Sequence, residues 1–223
     1  MPTREVLHGD GVAFLARRQL PASHALVTSM PDGSELPGLG FSGWRDWFVE
    51  TAALVAGQTH DDSVAIFFQT DVKREGAWVD KGYLVARGAE RAGAELLWHK
   101  VVCRAPAGTV TFGRPAYAHL QCFSRRLRLD PKDSSADVLP RLGDMPWPRA
   151  MGVEACAAVC NFLRTLPAIT TVVDPFCGIG TMLAVANAHG FDAIGVERSA
   201  KRAKRASALT LDHAARRRGG SDG

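Results

Sequence analysis

The chain has 223 residues, 27 Lys and Arg against 23 Asp and Glu, and a net charge of +4. With 46% hydrophobic residues it can bury a sizeable core, and no apolar run approaches the ~20 residues of a membrane span. The basic surplus is local: residues 198–223 carry eight basic and two acidic side chains, so the rest is near neutral and overall charge does not argue for nucleic acid.

The opening residues, Met1 to Val6, lack the apolar core of a secretory signal. Five scattered cysteines (Cys103, Cys122, Cys156, Cys160, Cys177) suit a reducing, cytoplasmic compartment rather than a disulfide framework. Cys156 and Cys160 share one face of a predicted helix and read as small core residues, and no metal site is expected.

In chain order, Glu5–His8 reads as a strand, Gly11–Arg18 as a helix and Ala25–Thr28 as a strand. Gly33–Gly43 reads as a glycine-rich loop. Trp44, Phe48, Ala52 and Val55 recur at helical spacing, which predicts a helix over Trp44–Gln58. Ser63–Gln69 is a nearly continuous apolar run, as a strand buried on both faces requires. Asp80–Ala92 reads as a helix ending at Gly93, with strands at Leu96–Cys103 and Ala118–Phe123. Leu129–Met145 is polar and aperiodic. Helices are expected over Gly152–Leu166, Thr181–His189 and Ser199 to about Arg216, with strands at Thr170–Val173 and Ala193–Val196. This alternation predicts an α/β fold: a single Rossmann-like domain over 1–223, with a mostly parallel seven-stranded sheet and helices on both faces. Within it fall a half over 1–128, a linker over 129–150, a half over 151–216 and a flexible basic tail over 217–223.

The sharpest motif is the strand, turn and helix start from Thr171 to Thr181, in which Asp174 ends the strand and Gly178-Ile-Gly180 makes the turn. Ligands bind at the carboxyl ends of strands in such sheets, and glycine lets a ligand approach the backbone. A phosphate-binding loop would need Gly-Lys-Ser/Thr after the turn, and a dinucleotide fingerprint a small residue where Leu183 stands. The dinucleotide fingerprint also gives Asp174 no role. S-adenosylmethionine (SAM) has an ammonium and a sulfonium but no phosphate, so an acidic loop suits it. A second strand ends in an acid at Glu197, where a carboxylate can accept both hydroxyls of a ribose.

Asp174-Pro175-Phe176-Cys177-Gly178-x-Gly180-Thr181 resembles the cofactor motif of class I SAM-dependent methyltransferases, most closely the amino-methylating branch acting on DNA adenine and cytosine N4 and related tRNA and rRNA enzymes. The resemblance implies that residues 174–180 hold the methionine part of the cofactor and that Glu197, with Arg198 after it, lies at the ribose. Leu7-His8-Gly9-Asp10-Gly11 is similar to the segment that opens many of these DNA methylases, which implies that Asp10 reaches the adenine. Ser29-Met30-Pro31-Asp32 sits where the family carries its catalytic loop. By that likeness Ser29 and the Met30 carbonyl accept from the reacting amine and Pro31 stiffens the loop. Met30 replaces a usual proline and Asp32 a usual aromatic. The order, catalytic loop first and cofactor loop last, is the circularly permuted, β-type arrangement.

Four further residues are candidates for substrate contact: Arg114, Tyr117, Trp147 and Arg149. The gap over Leu129–Met145 is too short for a target-recognition domain. The reading is a SAM-dependent methyltransferase acting on a base nitrogen in RNA, then DNA, with a partner protein as one source of recognition and no membrane involvement. Two alternatives stay open: a small-molecule methyltransferase using Asp32 as base, and a silent SAM-binding subunit.

Overall fold

The computed structural model describes residues 1–211. All seven expected strands form: β1 (Arg4–His8), β2 (His24–Thr28), β3 (Ala65–Gln69), β6 (Glu95–Cys103), β7 (Tyr117–Ser124), β9 (Thr171–Asp174) and β10 (Asp192–Glu197). Three short strands have no counterpart in the sequence pattern. β4 (Val72–Arg74) and β5 (Ala77–Val79) make a small hairpin around Glu75-Gly76, and β8 (Val138–Leu139) pairs with the edge of β6. The main sheet therefore has eight strands rather than seven, in the order β1-β10-β9-β2-β3-β7-β6-β8. Pairing is parallel except on both sides of β7. β8 has two residues in an aperiodic segment, too few for alternation to show.

The described residues form six α-helices: α1 (Gly11–Ala16), α2 (Gly40–Gln58), α3 (Lys81–Arg91), α4 (Val153–Leu163), α5 (Thr181–Ala188) and α6 (Ala200–Ala208). α2 starts at Gly40, inside the expected loop, after two 3-10 turns at Gly33–Glu35 and Pro37–Leu39. α6 stops at Ala208 instead of near Arg216, and the expected tail over 217–223 lies outside the described residues. Two apolar layers cover the sheet. One packs α4 and α5 on Val27, Ile66, Val172 and Leu120, with Cys156 and Cys160 buried in it. The other packs α2 and α3 on Leu26, Phe67, Phe123 and Val173. Alternate residues of β2, β3 and β9 serve opposite layers, as a strand buried on both faces must.

The strands β9 and β2 lie side by side at the centre, although some 145 residues separate them in the chain. Their carboxyl ends are tied by a buried hydrogen bond in which Thr28 Oγ1 donates to Asp174 Oδ1 at 2.6 Å. β1 sits at one edge, and the turn into α1 packs tightly on the Asp174 turn. A Cβ at Gly11 would stand 2.0 Å from the Pro175 carbonyl oxygen. Alanine in a helix is worth about 0.5–1 kcal/mol over glycine, but a forced backbone displacement in a packed core costs about 1–3 kcal/mol. Gly11→Ala is thus expected to destabilise the protein by about 2 kcal/mol in urea melts. Gly57→Ala in α2, whose Cβ would meet only Ala92 Cβ at 3.8 Å, should be neutral to mildly stabilising.

Candidate functional site

A cleft of about 390 Å³ opens at the carboxyl ends of the central strands. One wall belongs to the β9 and β10 loops. Asp174, Pro175, Phe176, Cys177, Gly178, Thr181, Glu197 and Arg198 all line it. Asp174 is 2% exposed and accepts from Thr28 Oγ1 and, at 3.1 Å, from the Phe176 amide. Burial, assisted by the neighbouring Glu197 charge, raises its pKa to about 7 against those two bonds. Gly178 and Gly180 both have positive φ, at 57° and 83°. A Cβ on Gly178 would meet nothing within 4 Å, whereas one on Gly180 would stand 2.9 Å from Ala206, so Gly180 serves the docking of α6 rather than lining the cleft. Thr181 Oγ1 is buried without a hydrogen-bond partner and lines the same wall. Glu197 is buried, and its Oε1 accepts two hydrogen bonds, from the Ser199 amide at 2.7 Å and from Arg202 Nε at 2.9 Å, with Arg202 Nη2 in ion-pair contact at 2.8 Å. Arg202, near the start of α6, is thus folded onto this acid.

The opposite wall starts at the end of β2. Ser29, Met30, Pro31 and Asp32 line the cleft, with Met30 buried. Trp44 Nε1 donates to the Pro31 carbonyl at 3.2 Å, and its indole lies 3.3 Å from where a Gly33 Cβ would stand. A buried core tryptophan therefore also anchors the loop. Asp32 caps the following turn in a reciprocal capping box with Glu35. Its carboxylate meets Lys81 Nζ at 2.5 Å and Arg114 Nη2 at 3.6 Å. The Lys81 side chain is 4% exposed. Burial pushes its pKa down, Asp32 holds it up, and Arg114 opposes it again.

No sequence motif marks Lys81, since one lysine at a helix start carries no pattern. Asp80 caps α3, accepting from the Tyr83 amide at 2.7 Å, and Asp71 Oδ1 accepts from the Lys81 amide at 2.8 Å. Asp71 Oδ2 accepts from Trp78 Nε1 at 3.1 Å and Tyr117 OH at 3.3 Å, and meets His119 Nε2 at 3.0 Å. His119 Nδ1 in turn lies 3.0 Å from His99 Nε2. Burial works to raise Asp71, but the bonds from His119, the Lys81 amide and Trp78 outweigh it and its pKa is lowered. Tyr117, a candidate substrate contact, is thus spent on Asp71 and is not a lining residue of the cleft.

Arg114, Trp147 and Arg149 do line the cleft. Arg149 Nη1 pairs with Glu35 Oε1 at 3.1 Å, joining the linker before α4 to the Ser29–Asp32 wall. Trp147 is 39% exposed, with the Arg205 guanidinium 5.8 Å from its ring. Asp10 is placed differently from the rest. It N-caps α1, accepting from the Ala13 amide at 2.9 Å, and is exposed, while its neighbour Gly11 lines the cleft. Arg104, which belongs to no motif in the sequence, lines the cleft beside Arg114. No helix among the described residues is long and apolar enough to cross a membrane.

No protein-family model and no curated protein sequence matches the chain. Solved structures do. PvuII DNA methyltransferase, cytosine-N4-specific, matches with a TM-score of 0.70 at 15% identity over 96% of this chain and 88% of that one. TTHA0409 of Thermus thermophilus, complexed with S-adenosyl-L-methionine, matches with a TM-score of 0.64 at 18% identity over 92% and 91%. The complex of M1.HpyAVI with SAM gives 0.58 at 14% over 94% and 100%. With its eight-stranded, mostly parallel sheet and helices on both faces, the protein has the Rossmann-like fold of these methyltransferases.

Proposed function

We propose that the protein is a SAM-dependent methyltransferase whose acceptor is a base nitrogen of a nucleic acid. One observation carries this reading. The Asp174–Thr181 turn and the Ser29–Asp32 loop, remote in sequence, line a single cleft at the centre of the sheet. The donor set suits SAM. Asp174, buried and raised to about 7, gains by facing a cation. The unpartnered Thr181 Oγ1 offers a hydroxyl to the methionine end, and Glu197 keeps Oε2 for a ribose hydroxyl. When bound, SAM supplies an electrophilic methyl group.

The protein's own residues orient the acceptor. Ser29 Oγ and the Met30 carbonyl accept from the N–H groups of the amine, which favours a lone pair freed from the base ring. Trp44 and Pro31 hold the loop in place. Arg114, Trp147 and Arg149 are proposed to line the acceptor side. Asp10 acts through α1, as the cap that seats Gly11 against the cofactor turn.

The small-molecule alternative with Asp32 as base is weakened by geometry, because both Asp32 oxygens are engaged by cations. The DNA methyltransferases with this fold support nucleic acid as the acceptor class, and the choice between RNA and DNA is a matter for the assay. Calorimetry with SAM is expected to show binding, and its absence at millimolar ligand would sink the reading. Transfer of tritium from labelled SAM is then measured into bulk RNA, bulk DNA and a metabolite pool. Label in either polymer supports the proposal. Label only in metabolites favours the small-molecule reading, and SAM binding without any transfer favours a silent subunit. Nucleoside mass spectrometry on a deletion strain identifies the modified base.

A further inference from the structure

Two guanidinium groups flank the acceptor side of the cleft, from the two ends of the loop between β6 and β7. Arg104 follows β6 directly, and its amide bonds to the Ala116 carbonyl at 2.7 Å, closing that loop at its base. Its side chain is half-buried and donates from Nη1 to Thr70 Oγ1 at 3.1 Å. Among the described residues it has no carboxylate within ion-pair distance. Burial disfavours its charge first, and Arg114 disfavours it further. Arg114 shares Asp32 with the buried Lys81. Lys81 and Arg114 thus share one carboxylate at the point where the Ser29–Asp32 loop enters the cleft. Arg104 stands near enough to Arg114 to feel its charge with no carboxylate of its own, and an anion would relieve the repulsion of the two guanidinium groups. A planar guanidinium fork matches phosphate oxygens in particular.

We infer that Arg104 and Arg114 form a phosphate subsite, which takes the phosphate attached to the nucleotide whose base enters at Ser29–Pro31. This rests on the nucleic-acid methyltransferase reading and adds to it the group by which the acceptor is oriented. The phosphate comes either from a polynucleotide backbone or from a mononucleotide, and both present the same oxygens to the pair. With the missing aromatic at Asp32, recognition passes from stacking to charge.

The test uses the full chain and three ligand sets: the four nucleosides, the four nucleoside monophosphates and a short mixed-sequence single strand. Binding is measured by calorimetry or anisotropy at several salt concentrations. Arg104→Gln and Arg114→Gln are each expected to weaken phosphate-bearing ligands about tenfold and to reduce the slope of log K against log salt by about one for the single strand. Nucleoside binding and SAM affinity should stay within twofold, and retained SAM affinity reports that the variant is folded. A loss confined to monophosphates or to the single strand identifies the source of the phosphate and supports the subsite. Unchanged affinity for both in either variant, with SAM still bound, overturns the subsite and leaves the methyltransferase reading standing. Failure of wild type to bind SAM overturns that reading, while an arginine-dependent phosphate affinity would survive it.

Discussion

Replacing Asp174 by Asn is expected to make the free protein more stable while weakening its hold on the proposed cofactor. Asp174 is buried at the end of β9 with its pKa raised from 3.8 to about 7. In the unfolded chain it ionises near 3.8, so between these values the native state holds a proton that the unfolded state has released. Stability therefore falls as pH rises through that window, and the contribution is fully present only below the unfolded value. At 1.36 kcal/mol per unit, the penalty at pH 8 is of order 4 kcal/mol. Asparagine keeps an oxygen for Thr28 and the Phe176 amide but cannot ionise. Asp174→Asn should gain up to about 4 kcal/mol at pH 8 and less than half of that at pH 5, read from urea melts at both values.

Cofactor binding should move the other way. A cation facing an ionised Asp174 makes a charge-assisted contact worth about 1.5–3 kcal/mol, so the variant should bind SAM up to ~100-fold more weakly at pH 8. For wild type, only the ionised fraction is competent, so affinity should fall about tenfold per unit below pH 7 and level off above it. Calorimetry in buffers of different ionisation enthalpy should show a proton released on binding at pH 6. A pH-independent affinity would remove Asp174 from the cofactor site.

Lys81→Met should have the second large effect, confined to the acceptor loop. The lysine is buried, its Nζ lies 2.5 Å from Asp32, and the Asp32 side chain is 18% exposed. Removing one member of a buried ion pair costs about 3–5 kcal/mol. The partial exposure of Asp32 and its second cation, Arg114, reduce this, so a loss of about 2 kcal/mol is expected. The loop carrying Ser29 and Met30 keeps its Trp44 anchor but loses its buried ion pair, and misplacement near reacting atoms of even 1 Å can cost ~100-fold in rate. Methyl transfer should fall by that order while SAM affinity stays within twofold. The double variant Lys81→Met/Asp32→Leu should recover stability without recovering transfer. Loss of SAM affinity in the single variant would mean that the pair supports the whole cleft rather than the loop.

Much of this arrangement is legible in the chain. Long strands such as Ser63–Gln69 declare themselves by continuous apolar character, and the Asp174 turn by its spacing of acid, glycines and helix start. What escapes is short or non-local. β8 has two residues and borrows its hydrogen bonds from β6. α2 begins at Gly40, within the glycine-rich stretch and directly after two 3-10 turns, where glycines and a proline mask the helical spacing that shows from Trp44 on. Lys81 and Arg104 acquire their meaning only from residues tens of positions away, across the sheet. Tyr117 is legible as an aromatic at the right edge, but its hydroxyl is consumed by a buried acid that no local pattern connects to it.

The two walls of the cleft hold opposite buried charges, carboxylates at Asp174 and Glu197 on one side and a cation at Lys81 on the other, with Arg104 and Arg114 beside it. On the proposed reading such a cavity sorts its occupants by polarity before shape is consulted, since a cationic donor and an anionic acceptor each have one favourable seat. By the same logic, a donor bearing a sulfonium would gain an attraction to the acidic wall that its neutral thioether counterpart would lack.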